Sequence, residues 1–189
     1  PAPTPVPTLC PAPQAAAIPN LTKVSSTGIP LPVSSIQWSC VQDNNSGLMW
    51  EVKTDNADLH DKDWTYSWYQ PNNLPITENS GKPNGGDCGK HGIDCDTESY
   101  VQAVNTEGLC GQNDWRMPTD EELLSLVDHT KTNPVIDVTY FPFTQKSMYW
   151  SSSTAENSNY AWYVTFGKGY HAWNLKESAR YVRLVRTIK

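Results

Sequence analysis

The chain has 189 residues, a hydrophobic content of 38% and a formal net charge of −6 at pH 7. This length is typical of one domain with a sizeable core, and eight Trp and nine Tyr residues supply enough apolar surface to exclude disorder throughout. The negative charge excludes a broad affinity for nucleic acid, and no apolar run is long enough to insert into a membrane as a helix.

The chain begins with a proline-rich segment, PAPTPVPTLCPAPQAAAIP. Proline fixes φ and removes a backbone donor, so this segment favours an extended conformation and has too little apolar surface to fold alone. We predict that residues 1–20 form a stalk or linker and that residues 21–189 form a ligand-binding domain. The segment lacks the basic start and apolar run of a signal peptide, so we expect the chain to derive from a longer precursor.

The domain is expected to begin with a β-hairpin. The runs SIQWSCV at residues 35–41 and GLMWEVK at residues 47–53 are typical of strands, and the DNNSG between them is a turn signal. TYSWY at residues 65–69 predicts another short strand or an extended aromatic segment. Residues 70–96 are rich in Pro, Gly and Asn and predict a long loop, of the kind that usually carries a function or is tied down.

Two helices are predicted next, over residues 96–108 and residues 118–129. The first ends at a glycine, which is a common helix stop signal. In the second, Thr119 and Glu122 have the spacing of a capping box, and Leu and Val recur at helical spacing.

Strands return after residue 134, at residues 149–153, 160–166 and 181–186, with the GKG of residues 167–169 as a turn. Two helices among several short antiparallel strands predict the α+β class.

The cysteine count is odd, with Cys10, Cys40, Cys88, Cys95 and Cys110. None forms a CxxC pair or a zinc-binding pattern. We predict a local Cys88–Cys95 disulfide and a Cys40–Cys110 disulfide that ties the hairpin to the end of the first helix. Cys10 is expected to be unpaired within the chain or bridged to another chain. Disulfides imply an oxidising compartment, and free thiols in a cytosolic protein are the alternative.

The sequence offers no catalytic motif, and we predict that the protein is not an enzyme. The serines at residues 151–153 have no GxSxG elbow, and the four histidines fall in no recognisable motif. The acidic residues 55–63 and 94–98 could supply oxygen ligands to calcium, but EF-hand spacing is absent and solvated turns are the competing interpretation. We expect no cofactor, and calcium binding stays open.

Arg116 lies in the motif NDWRMPT, between aromatic and apolar residues. One interpretation is ligand contact. The other is a structural arginine that pairs with Glu121 or Glu122 and fixes the loop to its helix. The aromatic setting favours the structural interpretation, because guanidinium groups there usually pack and form fork-type pairs.

Basic residues concentrate at the C-terminus. Residues 160–189 contain a single acidic residue, Glu177, so they carry a charge of +5 and the remainder of the chain carries −11. The six basic residues of this segment are Lys168, Lys176, Arg180, Arg183, Arg186 and Lys189. Lysine and arginine bind sulfate and carboxylate groups. The predicted ligand-binding residues are Lys168, Lys176, Arg180 and Arg183. If residues 181–186 form one strand, Arg186 shares a face with Val182 and Leu184 and is predicted to be structural. A solvated strand with ion pairs is the alternative.

Five segments occur in an order that resembles a known family: GLMWEVKT, GLCGQNDWRMPTDEELLSLVD, YWSSS, AWYVTFGKG and YVRLVR. Together they are similar to the C-terminal domain family of the Legionella collagen-like protein, a domain of bacterial surface proteins. The resemblance covers roughly residue 21 to the end of the chain.

The resemblance implies a C-type-lectin-like or formylglycine-generating-enzyme-like fold and a homotrimer. It further implies an extracellular or cell-surface adhesin that binds sulfated glycosaminoglycans, such as heparin, and supports attachment and biofilm formation. A protein-binding or structural tip domain of a surface appendage, without a glycan ligand, is the alternative. One departure bears on the ligand, because a glycosaminoglycan binder should present basic surface and this chain is acidic overall.

Overall fold

The computed structural model describes residues 20–72, 79–89 and 91–188. Apart from Asn20, the predicted stalk lies outside these residues, and so does Cys10. The described elements, in chain order, are β1 (Leu21–Val24), β2 (Pro30–Leu31), β3 (Cys40–Asp43), β4 (Leu48–Glu51), α1 (Thr97–Glu107), α2 (Asp120–Leu124), β5 (Met148–Thr154), β6 (Tyr160–Thr165), β7 (Tyr170–Leu175) and β8 (Val185–Thr187). Two helices among short antiparallel strands confirm the predicted α+β class.

The first sheet is antiparallel and has the strand order β2-β1-β3-β4-β8. The predicted hairpin is β3–β4. At its turn the carboxylate of Asp43 accepts hydrogen bonds from the N–H of Asn45 (2.9 Å) and the hydroxyl of Ser46 (2.7 Å). Gly47 follows with a φ of 71°, a left-handed conformation that glycine adopts at little cost. The turn residues therefore specify where the chain reverses.

The second sheet is an antiparallel meander with the order β5-β6-β7. The predicted turn at residues 167–169 joins β6 to β7, and Gly169 has a φ of 76°. Strand β7 forms one edge of this sheet. Its residues alternate between exposed and half-buried over most of its length.

Both helices begin where their capping residues predict. The carboxylate of Asp96 accepts a hydrogen bond from the N–H of Ser99 (2.9 Å) at the start of α1, which ends at Gly108. At the start of α2 the hydroxyl of Thr119 accepts from the N–H of Glu122 (3.1 Å), and the carboxylate of Glu122 accepts from the N–H of Thr119 (2.9 Å). This reciprocal pair confirms the predicted capping box.

Helix α2 is shorter than predicted. It ends at Leu124, so the prediction of a helix to residue 129 is wrong. The N–H of Asp128 donates to the carbonyl of Val135 (2.9 Å), and this bond across a short loop replaces the helical one. Leu126 and Val127 still pack against the core. The spacing of the apolar residues therefore predicted which side chains face the core, although the backbone is no longer helical there.

The predicted strand over residues 181–186 is also wrong in extent, because the described strand is Val185–Thr187. The N–H of Tyr181 donates to the carbonyl of Met148 in the second sheet (3.1 Å), whereas the carbonyl of Leu184 accepts from the N–H of Glu51 in the first (3.0 Å). This C-terminal segment therefore crosses from one sheet to the other. Its side chains do not alternate between two faces, and residues 182–186 are all buried.

Two disulfides fix the remaining loops and confirm both predicted pairings. Cys40–Cys110 joins β3 to the turn after α1, and Cys88–Cys95 closes a short ring in the predicted long loop. Aromatic residues fill the core, including Trp50 from the first sheet, Trp150 from the second and Trp68 from the segment before the long loop. Among the described residues, no helix has the length and apolar character needed to span a membrane.

Candidate ligand-binding surface

The four predicted ligand-binding residues do not form one surface. Arg183 is fully buried: its guanidinium donates to the backbone carbonyl of Glu51 (2.9 Å) and the hydroxyl of Thr144 (2.8 Å), and it lies 4.8 Å from the ring centre of Phe141. A buried guanidinium stacked on an aromatic ring stabilises packing. In this conformation Arg183 is out of reach of a ligand outside the domain.

Lys176 is also buried, with 2% of its surface exposed. Its ammonium donates to the backbone carbonyl of Asn79 (2.6 Å) and lies 4.1 Å from the ring centre of Trp68. Arg180 is half-buried and donates to the carbonyl of Ala179 (2.8 Å). Lys168 is the member of the predicted set that is exposed. Ligand contact by Lys168 and Arg180 stays a prediction.

Arg186 and Arg116 have structural partners. Arg186 is buried and its Nε donates to the carboxylate of Asp114 (2.5 Å). Arg116 donates through both terminal nitrogens to the two carboxylate oxygens of Glu122 (2.7 Å each). Because Glu122 also caps α2, this fork fixes the loop to the helix, which confirms the structural interpretation of Arg116.

A buried group of charges, the Glu51 group, lies between β4, α1 and the C-terminal segment. One carboxylate oxygen of Glu51 accepts hydrogen bonds from Lys53 (3.0 Å), from Nδ1 of His60 (2.8 Å) and from the hydroxyl of Tyr100. The other accepts from the N–H of Leu184 (2.9 Å). These bonds saturate the carboxylate and join distant parts of the chain.

Electrostatics keep this group charged. Burial raises the pKa of Glu51, but the charge of Lys53 and the bonds from His60 and Tyr100 outweigh burial and hold the pKa well below its usual range. Burial likewise opposes a charge on His60, yet hydrogen bonds to Glu107 and Glu51 raise its pKa to about 9. His60 is therefore a cation at neutral pH, with both ring nitrogens as donors.

Three segments that each carry an exposed lysine meet at the β6–β7 turn. Lys168 is in the turn, Lys146 lies two residues before β5, and Lys131 follows α2. The N–H of Phe166 donates to the carbonyl of Ser147 (3.0 Å), which places Lys146 beside the turn. A Cβ on Gly169 would lie 2.8 Å from the ring of His129, so the segment after α2 reaches the same turn. We call Lys131, Lys146 and Lys168 the lysine end.

The lysines of the lysine end are not held in ion pairs by the described residues, although the Asp128 carboxylate lies near Lys131. None of its three lysines forms an ion pair with another described residue. The neighbouring carboxylate of Asp128 accepts hydrogen bonds from the hydroxyl of Thr130 (2.6 Å) and its N–H (2.9 Å). These bonds lower the pKa of Asp128, with smaller contributions from Lys131 and His129. The lysine end therefore offers exposed, hydrated ammonium groups on three neighbouring segments.

Sequence reasoning found Lys168 and missed Lys131 and Lys146. The signal for Lys146 was available, because antiparallel pairing places the start of β5 and the end of β6 at the same end of the sheet. Lys131 gave no such signal, since its position depends on how the segment after α2 returns to the turn.

The acidic loop of residues 55–63 is organised by its own backbone. The carboxylate of Asp61 accepts hydrogen bonds from the N–H groups of Asn56 (2.8 Å), Ala57 (2.6 Å) and Asp63 (2.9 Å). These bonds outweigh burial and lower the pKa of Asp61. In the described part of the chain, no group of three or more His, Cys, Asp or Glu residues is placed to hold a metal ion.

Comparison with known proteins gives the family. The model of the Lcl C-terminal domain matches residues 39–186, which is more than half of the chain and includes β3 to β7. A search of curated proteins and a search of solved structures gave no significant match. The matched range contains all five segments on which the resemblance was based, and the chain belongs to the Lcl C-terminal domain family.

Proposed function

We propose that this domain is a non-catalytic, extracellular adhesin module that binds sulfated glycosaminoglycans through the lysine end. The observation that carries the proposal is that the segments of Lys131, Lys146 and Lys168 meet at one turn, with each lysine exposed and without an ion pair to another described residue. Family membership supports an adhesin-type role, and the two disulfides fit an oxidising, extracellular setting.

Local charge outweighs net charge in this proposal. The chain carries −6 overall, which repels a polyanion at long range. Screening at physiological ionic strength suppresses that repulsion beyond about 8 Å, so the ammonium groups near the ligand decide binding. Sulfated polymers resemble nucleic acids in charge density, and their binding should release counterions and weaken steeply with salt.

A homotrimer is part of the proposal, as is the C-type-lectin-like or formylglycine-generating-enzyme-like variant of the α+β fold. Three ammonium groups in one copy form a weak site, and several copies on one stalk would raise the effective affinity for a long polymer. Attachment and biofilm formation would follow from such multivalent binding at the bacterial cell surface.

The test is heparin binding over a salt series, by calorimetry and column retention, with a Lys131→Ala, Lys146→Ala, Lys168→Ala triple variant. We expect the triple variant to lose at least about tenfold in affinity and to show a shallower salt dependence, by roughly one counterion per lysine removed. Parental heparin affinity in the triple variant would refute the site. Heparin binding by neither protein would favour the alternative, a tip domain that contacts proteins.

The matched control is Lys82→Ala, compared with Lys168→Ala. Both lysines are exposed, and both substitutions change the net charge equally. Lys82 lies beside Lys176 and Glu177, which follow the opposite end of β7 from the turn that holds Lys168. A selective effect of Lys168→Ala therefore reports local contact, whereas equal effects would indicate only the change in overall charge.

A further inference from the structure

Aromatic side chains cover one face of the β6–β7 hairpin at the end away from its turn. Tyr160 lies opposite Leu175 and Trp162 lies opposite Trp173, and directly opposite residues share one face of a sheet. Trp173 is 55% exposed and Leu175 is 39% exposed, while Tyr160 and Trp162 are half-buried. We call Tyr160, Trp162, Trp173 and Leu175 the aromatic strip.

At the end of the hairpin nearest the β6–β7 turn, the α2 region covers the same face of the sheet. Val164, opposite His171, is fully buried with Leu123 and Val127 of the α2 region. His171 stands at the border, where its Nδ1 hydrogen-bonds the carboxylate of Asp120 at the start of α2 (2.9 Å). The strip is therefore the part of this face that α2 leaves open.

The rings of the strip are held in fixed positions. Trp173 meets Tyr160 edge to face, with 5.0 Å between ring centres, and Trp162 lies 4.9 Å from the ring of His171. The Asp120 carboxylate that orients His171 also accepts a hydrogen bond from the hydroxyl of Ser153 (2.7 Å). Rings that are already oriented lose little conformational entropy when a ligand binds.

The size and charge of the strip select among possible ligands. Neighbouring strands lie about 4.8 Å apart and alternate residues about 7 Å apart along a strand, so the strip covers on the order of 100 Å². A stable protein interface needs about 800 Å² on each partner. The four side chains of the strip, from Tyr, Trp and Leu, carry no charge, which favours an uncharged ligand and leaves sulfate groups to the lysine end.

We propose that the aromatic strip binds the apolar face of one uncharged pyranose ring. The axial C–H groups of a pyranose match the area and apolar character of Trp173 and Trp162, and its hydroxyl groups reach the rim. At the edge of the strip, Nε2 of His171 has no hydrogen-bond partner among the described residues, and 40% of the histidine side chain is exposed. This nitrogen is therefore available to a sugar hydroxyl. This proposal relies on the proposed glycan-binding function only for the choice of a sugar as ligand.

The test uses uncharged sugars, namely cellotriose, lactose and N-acetylchitotriose, with saturation-transfer NMR and tryptophan fluorescence on the whole chain. We expect at least one of these sugars to bind weakly through its ring protons. Trp173→Ala should weaken that binding at least tenfold, and Trp173→Phe, which keeps a ring, should restore part of it. Ile36→Ala is the control, because Ile36 is 90% exposed and lies outside the strip.

The outcomes separate this proposal from the lysine-end proposal. Trp173→Ala should keep the salt dependence of heparin binding, and Lys168→Ala should keep the binding of the uncharged sugar. No transfer to any of the three sugars, or equal transfer from the parent and Trp173→Ala, would overturn the sugar site. Loss of self-association in Trp173→Ala, measured by light scattering without any sugar signal, would overturn it in favour of a contact between copies of the chain.

Discussion

The Glu51 group and the lysine end use similar side chains under opposite conditions. In the first, Lys53 and His60 surround one carboxylate inside the protein, and every charge has a partner. In the second, Lys131, Lys146 and Lys168 are exposed and have no ion pair among the described residues. Loss of a partner from a buried cation is costly to the fold, whereas exposed cations without ion pairs contribute little to stability and remain available to a ligand.

The largest effect should follow from Glu51→Gln. This substitution removes the negative charge, leaves Lys53 buried without its counter-ion and leaves Glu107 as the remaining carboxylate partner of His60. Loss of one partner from a buried charge group typically costs about 3–5 kcal/mol, and we expect the free energy of unfolding to fall by about that amount in denaturant titrations. Glu121→Gln, at an exposed position on α2, is the control and should change it by less than about 0.5 kcal/mol. A loss below about 1 kcal/mol for Glu51→Gln would mean that the group does not support the fold.

A smaller effect should appear with pH. The pKa of His60 is raised from 6.5 to about 9 in the folded protein, so the folded state binds this proton more tightly than the unfolded state. The resulting stabilisation is fully present below the unfolded pKa and is lost as the pH rises through the folded pKa. We expect the stability difference between the parent and His60→Gln to shrink by up to about 3 kcal/mol over this window. A difference that stays constant with pH would show that His60 does not change its charge there.

The smallest effect on stability should come from the lysine end. The Lys131→Ala, Lys146→Ala, Lys168→Ala triple variant removes exposed charges without ion pairs among the described residues, so its free energy of unfolding should stay within about 0.5 kcal/mol of the parent value. Thermal and denaturant unfolding of the triple variant measure this directly. Destabilisation by more than about 1.5 kcal/mol would mean that these lysines support the fold, and the contrast with the Glu51 group would fail.

Local chemistry predicted much of the fold. Asp43 and Gly47 marked the first hairpin, Thr119 and Glu122 the start of α2, and both disulfides agreed with the element order. These features depend on residues within a few positions of each other, or on a small set of cysteines with few pairings.

The burial of Arg183 could not be predicted in the same way. Arg183 contacts the backbone of Glu51, which is 132 residues away, and its burial depends on a crossing between sheets that strand alternation does not report. The alternation of residues 181–186 assumed one continuous strand, so it placed Arg183 on the wrong kind of surface. The lysine end was only partly predictable, because β-pairing brings Lys146 to Lys168 while Lys131 depends on tertiary packing.

The Cys40–Cys110 bond also determines how the domain would respond to mechanical force. If the chain is pulled between residue 20 and a ligand held at the lysine end, tension passes along residues 20–40 and then crosses the disulfide directly to residue 110. Residues 41–109, which include β4 and α1, lie off this force path and cannot be extended while the bond is intact. Before tension reaches Cys40, at most about 20 residues can unravel, a length of roughly 70 Å. Beyond Cys110 the load passes into the residues that lead to the lysine end, so the disulfide limits the extension of the N-terminal half and shields residues 41–109 from the tension.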